Sequence, residues 1–216
     1  MTDISLISTA FNLKDITSKC FVHRVECILV GLTFEKVPGR GYKIFFTIYP
    51  LWRSNLKSCI SVPLLLQPLV DNNGLDIYLC DDIDFVERCN LHFPLLSGSH
   101  SAEDFFRFLY EMLVNDKSIK NNFVLLMKMY ELIYGIALYL NNIDIAQDVY
   151  IQISNQISSW DTKIFNYWYG DKDTTLSKLL EFEVNKCRIV KNVDLNASDS
   201  KVIKLPTYKF LWSQEC

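Results

Sequence analysis

Tyr42-Lys43-Ile44-Phe45-Phe46-Thr47-Ile48-Tyr49, closed by Pro50, is the strongest strand signal in the chain, because aromatic and β-branched residues suit a pleated surface and a proline ends a ladder. Ahead of it, Val37-Pro38-Gly39-Arg40-Gly41 reads as a turn, and Leu32 to Phe34 is expected to pair as a short strand. Further back, Phe21, Val22, Val25, Ile28 and Leu29 recur at helical spacing, which predicts a helix from near Thr17-Ser18 to Gly31. Downstream, Cys59 to Val70 is rich in Leu, Ile and Val, but Pro63 and Pro68 remove ladder donors, so an edge strand or a packed apolar loop is expected. Asp71-Asn72-Asn73-Gly74 is a turn, and Leu75 to Cys80 alternates as a half-buried strand does. Together these segments make an antiparallel sheet of three to five strands.

Beyond Pro94 the period changes. Ser101-Ala102-Glu103-Asp104 can start a helix carrying Phe105, Phe108, Leu109, Met112 and Leu113 on one face. A second helix is expected from Ile119 to Leu140, broken at Asn141-Asn142, and a third from Ile143 to Ile157, so the two form an antiparallel hairpin. Gly135, Ala137 and Ala146 would let these helices approach closely, like one tetratricopeptide unit. Since a stable array needs about three units, an ordinary hairpin packed on the sheet is the reading taken. Trp160, Phe165, Trp168 and Tyr169 form an aromatic cluster before a helix over 173–190, and 192–216 reads as an irregular tail held by Tyr208, Phe210 and Trp212. The fold class is therefore α+β, an N-terminal helix and small antiparallel sheet followed by a helical bundle. It is read as one domain, sheet-rich over about 1–95, helical over about 100–191, with a tail over 192–216.

Composition narrows the functional classes. With 216 residues, 50% hydrophobic and 22% charged, the chain is neither a disordered segment nor a small disulfide scaffold, and a net charge of −3 disfavours a general nucleic-acid binder. The longest run without a charged residue, between Arg88 and Glu103, contains Pro94 and is too short for a spanning helix. The seven cysteines are odd in number, and no basic, apolar export signal opens the chain, so reduced thiols and a cytoplasmic location are expected. The charge is segregated: residues 1–60 carry +4, residues 61–116 carry −8 and residues 117–216 carry +1. Asp71, Asp76, Asp81, Asp82, Asp84 and Glu87 follow one another with no basic residue among them, a surface either solvated or kept for a cationic partner.

No motif commits the chain to catalysis. Cys20-x2-His23-x3-Cys27 and Cys80-x8-Cys89-x2-His92 lack the spacing of a structural zinc site, and we read them as core thiols with a surface histidine; no metal ligand and no cofactor is assigned. Asp81-Asp82-Ile83-Asp84 with His92 or His100 could serve a metal-dependent hydrolase, but no further acid stands at a motif spacing. Nucleophile elbow, phosphate loop and dinucleotide glycine patterns are all missing. Tyr42, Phe45, Phe46, Tyr49 and Trp52 beside Lys43, Arg53 and Lys57 suggest base stacking, yet helices must cover one face of the sheet and the acidic block repels phosphate.

An N-terminal helix ending near Gly31-Leu32-Thr33-Phe34, the run from Tyr42 to Trp52, the proline-broken apolar edge after it and the hairpin at 130–157 resemble, in their order, small bacterial immunity proteins of contact-dependent inhibition and related polymorphic toxin systems. The resemblance implies a cytoplasmic, non-enzymatic protein that binds one cognate toxin domain and occludes its active site. A nuclease toxin with a cationic cleft would suit the acidic block. On that reading Asp76, Asp81, Asp82, Asp84 and Glu87 are the contact set and Tyr78 is its aromatic anchor, with no nucleic acid and no membrane as partner. The alternative is a helical adaptor that binds a peptide along the 119–157 hairpin, for which exposed residues such as Gln147 and Asp148 would matter. Reversing Asp81, Asp82 and Asp84 together to Lys is expected to leave the circular dichroism spectrum intact and to slow association with a cationic partner; unchanged binding and salt dependence would remove the acidic contact set.

Overall fold

In the computed structural model, which describes residues 4–71, 73–79, 85–98 and 100–211, the strand Gly41–Pro50 is the axis of a seven-stranded sheet. Numbered in chain order, it is β4, preceded by helix α1 (Ile4–Ala10) and strands β1 (Lys14–Thr17), β2 (Cys20–Val25) and β3 (Ile28–Val37). β3 pairs antiparallel with β4 along its whole length, from Ile28↔Pro50 to Val37↔Gly41, and β2 and β1 follow on the far side of β3. The other edge of β4 receives β5 (Leu65–Pro68) after helix α2 (Leu56–Ser61), and then β6 (Tyr78–Leu79). Between β5 and β6 the chain turns on Asp71, whose Oδ1 accepts from the amides of Asn73 and Leu75, both at 2.8 Å.

The helix expected over 17–31 is instead β2, a tight turn at Glu26-Cys27, and the first part of β3. Both faces of these strands are buried, so apolar residues do not alternate and their spacing imitates a helix. The turn also lacks a glycine or asparagine, and Glu26 itself takes the left-handed conformation with φ of 44°. That conformation is held from outside: Arg24 Nε donates to the Glu26 carbonyl at 2.8 Å, and the Glu26 amide donates to the Tyr208 carbonyl at 3.1 Å. Gly31, expected to stop a helix, lies in mid-strand where β2 folds closely over β3, and a Cβ there would stand 2.0 Å from the Phe21 carbonyl oxygen.

After helix α3 (Phe85–His92), a 3-10 turn at Pro94–Ser97 and the short strand β7 (His100–Ser101), the helical half begins. Helix α4 (Ala102–Asn115) starts where its cap predicts, with Ser101 Oγ accepting from the Asp104 amide at 3.0 Å. After α5 (Lys117–Lys120), the hairpin is α6 (Phe123–Tyr139) and α7 (Ile143–Ser159), turned at Asn141, with φ of 59°, and Asn142, which caps α7. From Leu132 to Leu138 every α6 side is buried, because α4, α7, the last helix and β5 surround it. The aromatic cluster forms on α8 (Thr162–Tyr169), where Trp160, Phe165 and Tyr169 pack around Phe123.

Two expectations for the C-terminal part are corrected. The helix over 173–190 is two helices, α9 (Lys172–Leu180) and α10 (Phe182–Ala197), with side chains taking the carbonyls at its break. Tyr134 Oη donates to the Leu179 carbonyl, and Asn185 Nδ2 donates to the Lys178 carbonyl at 2.8 Å. The segment from Asn192 is no irregular tail: α10 runs on to Ala197, β8 (Thr207–Tyr208) joins β2 in parallel, and β9 (Phe210–Leu211) joins β7. Tyr208 and Phe210 anchor it, packing on His23 and Phe105, while Trp212 lies outside the described residues. Sheet and helices share one continuous apolar core, and the fold is α+β. Replacing Gly31 with Ala is expected to lower unfolding free energy in urea by at least about 2 kcal/mol, since backbone rather than a flexible side chain must yield; an unchanged midpoint would contradict the close approach of β2.

Candidate functional site

Of the acidic block, Asp71 and Asp76 lie beside the outer edge of the sheet, and the fold brings cations there that block counting does not foresee. β6 pairs with the start of β4 in the register Lys43↔Tyr78. Lys43 Nζ consequently reaches Asp76 Oδ2 at 2.6 Å, and the Arg40 guanidinium sits 5.7 Å from the centre of the Tyr78 ring. Asp71 spends its carboxylate on the turn, and the Leu75 amide foremost among its donors holds the group below the ordinary carboxylate range. Glu87 is exposed on α3. Asp81, Asp82 and Asp84 lie outside the described residues.

The first cysteine–histidine grouping is not assembled. Cys20 and His23 are three apart on a strand and point to opposite faces, while Cys27 sits in the turn. His23 is no surface residue: it is fully buried against Tyr208, and among the described residues neither ring nitrogen has a hydrogen-bond partner. Cys89 is buried on α3 and Cys80 is outside the described residues; Cys20, Cys27, Cys59 and Cys89 are free buried thiols, and Cys187 is a free exposed one. Among the described residues no group of three or more His, Cys, Asp or Glu is gathered, and no helix is long and apolar enough to cross a membrane.

What the sequence reading missed is a cleft of about 620 Å³ on the inner side of the hairpin, walled by α6, α9 and α10 and floored by the segment after β4. Gln147 and Asp148, chosen to probe the hairpin, face solvent on α7 and do not line it. Trp52 enters the cleft over Gly135, where a Cβ would stand 2.4 Å from the indole; this glycine admits the tryptophan, not the α7 backbone. Asn192 Nδ2 holds the Trp52 carbonyl at 2.9 Å, and the buried Asn196 amide spans the carbonyls of Leu51 at 2.8 Å and Arg53 at 2.7 Å.

Arg53 is placed by its bonds to the carbonyls of Ser58 at 3.2 Å and Val62 at 2.9 Å, and reaches Glu131 at 3.6 Å. The Glu131 side chain keeps 43% of its surface because it borders the cleft, yet protein encloses its carboxylate on most sides. That enclosure raises its pKa, against the pull of Arg53, the Trp52 indole and Lys128. Enclosure likewise lowers the Lys128 pKa, with the Arg53 charge adding to the shift and Glu131 opposing it. On the far wall Arg188 Nη2 donates to Asn185 Oδ1 at 2.8 Å, and Asn185 Nδ2 lies 3.2 Å from Tyr134 Oη, a chain of polar groups that fixes the guanidinium.

A second exposed feature is the outer face of α8. Tyr167 and Trp168 each lie one helical turn from Ile164, and the three are 81%, 58% and 52% exposed, while Phe165 is fully buried. The rings of Tyr167 and Trp168 meet edge to face at 5.3 Å.

Compared with known proteins, the chain matches no family model, no curated protein and no solved structure.

The His23 environment carries a pH dependence. Burial is the main cause that lowers its pKa from 6.5 to about 4; the Phe11 backbone, which approaches without reaching hydrogen-bonding geometry, opposes the shift and His100 adds to it. Between these values the unfolded chain binds the proton and the folded one does not, so this contribution is complete above pH 6.5 and is lost as pH falls toward 4. The loss is on the order of 3 kcal/mol. Urea unfolding at pH 7 and pH 4.5 is expected to show a steep fall for the natural chain and a shallower one for His23→Phe; equal slopes would place the acid sensitivity elsewhere.

Proposed function

We propose that this protein acts by binding a partner protein rather than by catalysis, in the manner of the immunity proteins its sequence resembles, and that α8 presents the docking face. The observation that carries the reading is the exposed row Ile164, Tyr167 and Trp168. A soluble surface has no need of a solvent-facing tryptophan beside a tyrosine, and these are the residue types on which interface energy concentrates. Their helix is fixed from behind by Phe165, Tyr169 and Phe123, so the anchor is ordered before a partner arrives and loses little freedom on binding.

In this reading the partner is a cognate toxin domain met in the cytoplasm, and the chain inhibits it by covering it. The acidic sheet edge contributes to the approach of a cationic partner more than to its seat, because Lys43 engages Asp76 and Arg40 engages Tyr78.

The test is a pull-down from native extract at low and high salt, with the natural chain and with Trp168→Ala and Tyr167→Ala as baits. Both variants are expected to melt within a few degrees of the natural chain. Each is expected to lose at least about 2 kcal/mol of binding, roughly thirtyfold in affinity. Retention of the C-terminal domain of a large secreted protein by the natural chain alone is the expected result. Equal retention by all three baits would overturn the docking face, and recovery of housekeeping proteins only would overturn the immunity reading.

A further inference from the structure

We propose that the cleft between α6, α9 and α10 binds a small organic phosphate, a compact dianion carried on an apolar body, at a site separate from the α8 docking face. Lys128, Lys178 and Arg188 line the cleft, and Arg53 stands behind Glu131. Glu131 is the only carboxylate on the lining, and it already faces Arg53. Among the described residues, no ion pair engages Lys128, Lys178 or Arg188.

Cations gathered around one concavity repel one another, and the repulsion is stronger where protein replaces water; Lys128, held down first by enclosure and then by the Arg53 charge, stands in such a place. A bound anion relieves it. One negative charge leaves most of the excess in place, whereas a phosphate monoester brings two charges and several acceptor oxygens for a guanidinium fork and two ammonium groups. The site is also ordered in advance, since Asn185 holds Arg188, and Asn192 with Gly135 holds Trp52.

The rest of the wall decides the other half of the ligand. Trp52, Tyr169, Leu179 and Ile189 offer apolar surface that inorganic phosphate would leave uncovered, and the volume of about 620 Å³ falls within the range of small-molecule sites.

Phenyl phosphate is the probe, titrated calorimetrically into the full chain at pH 7.5 and low salt, with phenol and inorganic phosphate as parallel titrants. Saturable binding of phenyl phosphate, weaker binding of inorganic phosphate and none of phenol are expected. Arg188→Met and Lys178→Met alter exposed side chains, so both variants should keep the natural circular dichroism spectrum. Each is expected to weaken phenyl phosphate binding roughly tenfold or more, as loss of a charge-assisted hydrogen bond does. Absence of saturable binding to the folded natural chain, or natural affinity retained by both variants, would overturn the site. Phenol binding as tightly as phenyl phosphate would overturn the role of charge, and inorganic phosphate binding as tightly would overturn the apolar body.

Discussion

A buried amide ties the last helix to the exit of the sheet. Asn196, near the end of α10, donates both its hydrogens to main-chain carbonyls just beyond β4, those of Leu51 and Arg53. These carbonyls follow the last ladder pair of β4; that of Arg53 also accepts from Cys59 Sγ at 3.9 Å, and a buried carbonyl left without a donor costs about 1–3 kcal/mol. The bond therefore does more than dock a helix. It fixes the direction in which the chain leaves the sheet, and so aims Trp52 and Arg53 at α6. The floor of the cleft, the pairing of Arg53 with Glu131 and the seating of Trp52 on Gly135 all depend on that direction.

The helical walls of the cleft follow from a comparable exchange of partners. A continuous helix over 173–190 would satisfy its own carbonyls and lie straight. Here Tyr134 and Asn185 take those of Leu179 and Lys178, which lets the chain bend at Glu181 and sets α9 and α10 as separate walls. The same Asn185 then orients Arg188, so one side chain both ends a helix and positions a cation. Local stability and site geometry are supplied by the same few polar bonds.

What could be read from the sequence follows the range of the interactions. β4, the turn at Asp71, the start of α4 and the α6–α7 hairpin were legible because each is specified within a few residues, by a proline, an Asx turn, a serine cap or a pair of asparagines. β2 and β3 were read as a helix because their turn is held in place by Tyr208, far along the chain, and because burial on both faces erases alternation. The return of the C-terminal segment as β8 was invisible for the same reason, its pairing with β2 being entirely non-local. The acidic block illustrates a related error: counting charge along the chain treats neighbours in sequence as neighbours in space, and the β4–β6 ladder carries Lys43 across to Asp76 and Arg40 toward Tyr78. The cleft was least legible of all, since its cations come from separate segments and none of them belongs to a motif.

α8 shows why the two proposed surfaces belong on the helical half. It is a two-turn helix that would not persist alone, and it is held because Phe165 and Tyr169 pack inward with Phe123 and Trp160. Tyr169 thereby becomes cleft wall, while residues one position away on the same helix, Ile164 and Trp168, are turned outward. Burying more of α8 would remove the exposed aromatics but also close the cleft from that side. Tyr167, 81% exposed, could be replaced by a charged residue at little cost in packing, whereas Trp168 also meets the Phe123 ring edge to face. The proposed docking face thus sits on a helix whose inner side the core holds in place, with Trp168 sharing the Phe123 ring with that core.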